Sequence, residues 1–182
     1  MGLNEGQSCA GWYDAEYTTD AFLANDFDPA PTAEYAKSAI RARLDCFRSS
    51  PASAADFFGR KFLSQWNEPT YQSLWTNQSR RSYSEYGKMY NFFCVEHAAA
   101  LAEFMNLMQQ LVVLGYTFGL VMLLKKRDIL TALPALTILG AMLYHLLFEA
   151  KSQYSIGYFI LMLPIAAYGL CHLFTLAKRE RN

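Results

Sequence analysis

The sequence predicts an all-α, polytopic membrane protein: an extracytoplasmic helical segment followed by three transmembrane helices. Two observations carry this. After roughly 95 mostly polar residues come three long apolar stretches, and the last two are separated only by the polar turn Glu149-Ala150-Lys151-Ser152-Gln153-Tyr154. Each stretch reaches the roughly 20 residues needed to cross hydrocarbon, and only a helix can satisfy its own backbone there. The division then falls at 97/98, with a loop-rich helical segment over 1–97 and a membrane domain over 98–182. The spans are about 98–124, 129–148 and 156–177.

Bulk composition hides this contrast. The 182 residues carry a formal net charge of +0, which gives no footprint for nucleic acid. The mean hydropathy of +0.03 averages two unlike halves. Residues 1–35 hold seven acidic side chains and no Lys or Arg. Residues 98–177 are nearly all apolar, with charges at Glu103, Lys125–Asp128, Glu149 and Lys151.

The opening Met1-Gly2-Leu3-Asn4-Glu5 has neither the basic nor the apolar region of a secretory signal. Gly6 stands where a myristoylation signal needs Ser or Thr. Trp12, Tyr13 and Tyr17 read as the middle of a folded region, which points to a piece of a longer chain. Residues 1–30, rich in Asp, Asn, Gly and aromatics, read as loop, and Asp28-Pro29-Ala30-Pro31-Thr32 as a break. Thr32 is placed as the cap of a helix over 33–48, where Tyr35, Ala39 or Ile40, Leu44 and Phe47 recur at helical spacing. Ser50 caps a second helix that starts at Pro51 and runs to about Gln65. Its apolar face is Ala54, Phe57, Phe58 and Phe62, with Arg60 and Lys61 between them and Trp66 at the end. Such a helix fits either the bilayer surface or a packed neighbour.

Trp66-Asn67-Glu68-Pro69-Thr70-Tyr71 ends that helix. Residues 71–92, with Trp75, Tyr83, Tyr86, Tyr90 and Phe92, followed by Phe93, read as an irregular or partly helical stretch near the membrane, where amphipathic rings are favoured. The first span is softened at its entrance by Glu103, Asn106, Gln109 and Gln110. Pro134 lies near the start of the second span and Pro164 inside the third. Lys125-Lys126-Arg127 joins the first two spans, and Lys178-Arg179 and Arg181 follow the third. The positive-inside rule makes both places cytoplasmic. The 149–155 turn and residues 1–97 are then outside, although Arg80 and Arg81 count against that orientation.

The turn at 149–154 is the leading site candidate. Lys151 at headgroup level can meet a lipid phosphate as a point charge. Glu149 can orient that lysine or bind a sugar hydroxyl, and Gln153 and Tyr154 can donate to phosphate or sugar oxygens. His145, one helical turn before Glu149, can hydrogen-bond it. The plainer reading is that any short interhelical loop needs polar residues and that Lys and Tyr anchor span ends. His97 and His172 are scattered and share no ligand spacing with His145, so no metal site is called for. Cys9, Cys46, Cys94 and Cys171 form no CxxC; one disulfide among the first three is open. Asn77-Gln78-Ser79 matches a glycosylation pattern that recurs by chance. Walker, dinucleotide, nucleophile-elbow and HExxH motifs are absent, so nucleotide-driven or serine-hydrolase chemistry is unsupported.

The run His145-Leu146-Leu147-Phe148-Glu149-Ala150-Lys151-Ser152-Gln153-Tyr154-Ser155, followed by Tyr158-Phe159 and Pro164, resembles the C-terminal membrane region of bacterial polytopic glycosyltransferases of the GT-C type, the protein mannosyltransferase and aminoarabinose transferase group. The stretch from Phe57 to Trp66 is similar to the helix before a membrane-proximal Trp in such proteins. The resemblance covers most of the chain as the tail of a longer one. It implies sugar transfer from a polyprenyl-phosphate donor outside the cytoplasmic membrane. Lys151, Gln153 and Tyr154 match the part associated with the donor phosphate. The family's usual Arg before that Tyr is Gln153 here, which removes one positive charge. The family's acidic catalytic residue lies in an early outer loop with no counterpart in this chain. The implied partners are membrane lipid, a polyprenyl-phosphate sugar, and a missing N-terminal part; no cofactor is called for.

A reading from another class is a small three-span protein assembling with a membrane partner. Asn106, Gln109 and Gln110, with Gly115 and Gly119 four apart, would then face a partner helix. A transporter fragment would need paired broken helices in repeated halves, and none is seen.

Overall fold

The computed structural model describes residues 2–6, 8–74, 87–125 and 129–179. Trp75, Tyr83, Tyr86, the Asn77-Gln78-Ser79 pattern, Arg80, Arg81, Lys126-Arg127 and Arg181 lie outside the described residues. The regular elements are all helical: α1 (Ala15–Leu23), α2 (Pro29–Ser49), α3 (Pro51–Trp66), the single turn α4 (Lys88–Asn91) leading into a π-helical turn (Phe92–Glu96), α5 (Ala98–Leu124), α6 (Ile129–Leu147), a 3-10 turn (Ser152–Ser155) and α7 (Ile156–Arg179).

Helix α5 and the Ser152–Lys178 stretch, which takes in α7 up to its last residue but one, are long and apolar enough to cross a membrane. At about 1.5 Å per residue, the 27 residues of α5 reach about 40 Å. Helix α6, expected as the middle span, has 19 residues and reaches only about 28 Å.

The first thirty residues are not all loop. The Asp14 side chain accepts from the Tyr17 N–H (3.1 Å), so α1 has its own N-cap. It stops where Asp26 and Phe27 turn to positive φ, 52° and 59°. Helix α2 starts four residues before the expected 33. Asp28, not Thr32, is the cap: its carboxylate accepts from Ala30 N–H (2.9 Å), Pro29 takes the first position, and Thr32 sits inside the helix with its hydroxyl on Asp28 O (2.6 Å). Pro31 is tolerated because the first-turn N–H groups have no intrahelical acceptor. Pro51 opens α3 as expected, and Ala54 N–H donates to Ser50 O (3.1 Å).

The chain forms two compact units. One contains Met1–Gln65 and Ala141–Lys151, the other Trp66–Gly140 and Ser152–Asn182. In the first, Phe47 of α2 meets Phe57 and Phe58 of α3 at ring distances of 5.2 and 5.4 Å, with Ala10, Leu3 and Ala54 packed around them. The Arg43 guanidinium lies 4.6 Å over the Phe47 ring and 4.8 Å over Phe57 and donates to Leu3 O (3.0 Å) and to Glu5. Burial raises the Glu5 carboxyl, but Arg43 and Arg60 outweigh it and hold the group below its usual range. Trp12 is buried, and its indole N–H reaches Ser64 Oγ (3.0 Å).

In the second unit α5 packs along α7. Gly115 and Gly119 face Ile165, Ala166 and Gly169, and a Cβ on any of the three glycines would overlap backbone of the facing helix. Tyr116, Met162, Ile165 and Ala166 are buried around this crossing. The small-residue spacing therefore brings two backbones together within one chain. Asn106 and Gln110, also weighed as partner-facing, pair with each other (3.2 Å), and Gln109 donates to Trp66 O (3.1 Å).

Candidate functional site

The turn at 149–154 is divided between the two units, with His145, Glu149 and Lys151 in one and Gln153 and Tyr154 in the other.

On the first side, α6 ends at Leu147 and leaves its last carbonyls without intrahelical donors. The Lys61 ammonium supplies them. It donates to Leu146 O (2.9 Å), to Phe148 O (2.7 Å) and to Gly2 O. A cation at a helix C-terminus also meets the negative end of the helix dipole. Lys61 is 0% exposed, and burial pushes its ammonium down from 10.5 to about 8. The N-terminal loop can pass this close because Gly11 has φ +73° and no side chain: a Cβ there would strike the Lys61 stem. Gly11 O then accepts from Ala150 N–H (2.9 Å), which fixes the backbone between Glu149 and Lys151.

His145 is buried, and its Nδ1 lies 2.9 Å from the Glu149 backbone O. A carbonyl only accepts, so Nδ1 carries the proton. The expected His145–Glu149 pairing exists, but through the main chain. Lys151 is half-buried and makes no hydrogen bond or ion pair among the described residues.

On the second side, Glu68 is the organiser. One carboxylate oxygen accepts from Thr70 N–H (3.0 Å) and the Thr70 hydroxyl; the other accepts from Gln72 N–H (2.6 Å) and Ser152 Oγ (2.7 Å). Ser152 is fully buried, and its carbonyl takes the Ser155 hydroxyl (2.6 Å), closing the 3-10 turn that starts α7. Gln153 is exposed and donates from Nε2 to Gln72 Oε1 (3.0 Å); Tyr154 is 43% exposed. Trp66 and Tyr71 flank Phe159 of α7, with ring centroids at 6.3 and 5.8 Å.

Sequence reasoning passed over Lys61 and Glu68. The signal for Lys61 was its register: Phe57, Lys61 and Gln65 recur every four residues, and all three are buried. Glu68 sits two residues before a Thr in a Pro turn, a spacing that lets a carboxylate take nearby N–H and hydroxyl donors. Among the described residues no three His, Cys, Asp or Glu side chains gather as a metal site. The four cysteines form no disulfide. No family model, curated protein or solved structure matches this chain.

Proposed function

We propose that the chain is part of an integral-membrane glycosyltransferase that takes its sugar from a polyprenyl-phosphate donor. In this reading α5, α6 and α7 are three spans, residues 1–97 and the 149–154 turn are extracytoplasmic, and the C-terminus is cytoplasmic. The turn contributes donor binding, and the catalytic base comes from elsewhere. The observation that carries the reading is Lys151: a cation without a bonding partner among the described residues, one position before the Ser152–Lys178 stretch of membrane-crossing length. At headgroup depth such a cation attracts phosphate.

In the reaction, an acceptor hydroxyl oxygen bonds to the anomeric carbon as the bond from that carbon to the phosphate oxygen breaks. The polyprenyl phosphate leaves with the electron pair, and the acceptor proton passes to the base. Lys151 would stabilise the charge growing on the leaving phosphate. Gln153, held by Gln72, and Tyr154 are neutral donors in the same turn of the sequence.

The test is binding of a short polyprenyl phosphate to the chain in nanodiscs. We expect Lys151→Ala to weaken it about ten-fold, the loss of one charge-assisted hydrogen bond. Equal affinity for Lys151→Ala, or for the uncharged polyprenol, would remove the reading.

A further inference from the structure

One side of the α5–α7 unit carries a groove of about 340 Å³, within the roughly 300–1,000 Å³ range of small-ligand sites. Trp66 and Asn67 form one end, Gln109 and Gln110 the polar wall, and Val113, Leu114 and Thr117 the apolar floor along α5. Gln109 is 6% exposed. Its Nε2 donates to Trp66 O (3.1 Å), and because that carbonyl only accepts, the amide cannot be reversed. Oε1 is then a buried acceptor with no partner among the described residues. Two donors of the lining bond elsewhere, Gln110 Nε2 to Asn106 Oδ1 (3.2 Å) and the Thr117 hydroxyl to Val113 O (2.8 Å). A buried acceptor left this way calls for a donor from outside.

The lining grades from polar to apolar along the helix axis. From Gln110 to Thr117 is about 10 Å, and Val113 and Leu114 are exposed between them. Among the described residues no charged side chain lines the groove. A phosphate would lie there unpaired, so this is not the donor site proposed at Lys151.

We infer that the groove binds a neutral glycolipid of the surrounding bilayer, a sugar hydroxyl donating to Gln109 Oε1 and the alkyl chain lying along Val113 and Leu114. The inference rests on the membrane placement proposed above, but uses none of the sugar-transfer residues.

The probe is octyl glucoside with a diazirine in its alkyl chain, photolysed on the full chain in nanodiscs, with labelled peptides mapped by mass spectrometry. Labelling should concentrate at 113–117, be competed by plain octyl glucoside, and fall about ten-fold in Gln109→Leu. Val113→Trp, which fills the floor and keeps the Gln109–Trp66 bond, should abolish it. Lys151→Ala should label like the wild type. Undiminished labelling in Gln109→Leu and Val113→Trp, equal labelling by the O-permethylated probe, or loss in Lys151→Ala would each overturn the assignment.

Discussion

Each unit is held together internally, and the two do so in opposite ways. In the first, a long side chain reaches backbone: Lys61 crosses to three carbonyls that no helix or loop satisfies. In the second, backbone meets backbone: Gly115, Gly119 and Gly169 remove the side chains that would keep α5 and α7 apart. In water a helix end can borrow solvent, whereas a buried end needs a donor brought to it. Where two helix backbones meet this closely, van der Waals contact between them decides. The same contrast separates the two lysines near the turn. Lys61 is consumed by the fold, while Lys151 makes no bond among the described residues.

The largest effect should come from breaking the backbone contact. Gly169→Leu puts a side chain where Gly115 and Gly119 backbone stands, and backbone cannot step aside. We expect a loss of about 3 kcal/mol or more, read from denaturant unfolding in detergent. Lys61→Met comes next. It relieves a buried charge but leaves the carbonyls of Gly2, Leu146 and Phe148 without their donor, for a net loss of about 2–4 kcal/mol. Faster amide exchange at Ala150 would report it, since that N–H depends on the same loop. Glu68→Gln replaces one carboxylate oxygen, and with it two of four accepted bonds, by an NH2 group; about 1–3 kcal/mol should be lost.

A fourth effect follows the proton on Lys61. Its folded value of about 8 lies below the unfolded 10.5, so between these values the unfolded chain binds more protons. Stability should therefore rise with pH across that window, by at most about 1.4 kcal/mol per pH unit, and stay flat on this account below pH 8. A Lys61 ¹³Cε resonance titrating near pH 10.5 would refute it. The smallest effect has the opposite sign to the first. A Cβ at Gly59, inside α3, meets nothing within 4 Å, so Gly59→Ala should gain about 0.5–1 kcal/mol in the same unfolding assay.

These contrasts also mark what the sequence made legible. The long apolar runs placed the ends of α5 and α6 to within a residue and α7 to within two, because hydropathy over twenty residues leaves little freedom. Pro51 and Ser50 marked the start of α3 for a local steric reason. Local competition defeated the reading at Thr32, where Asp28 four residues earlier is the stronger cap. It failed again at α1, whose cap Asp14 stands among aromatics that suggest no period. In the site, the His145–Glu149 link was visible at i, i+4, but not that it runs through a carbonyl. Gly115 and Gly119 announced a helix neighbour, while its identity as α7 depends on a chain return that spacing does not encode. Lys61 was hidden because its acceptors lie 59, 85 and 87 residues away, and the tie from Glu68 to Ser152 because it spans 84 residues.

The central claim is that one lysine serves the fold and the other a phosphate. It is tested most directly by ¹³Cε-resolved lysine spectra of the chain in nanodiscs, recorded with and without a short polyprenyl phosphate. The account expects the Lys151 resonance to move and the Lys61 resonance to stay in place. A Lys61 resonance that moves, or a Lys151 resonance that does not, would contradict it.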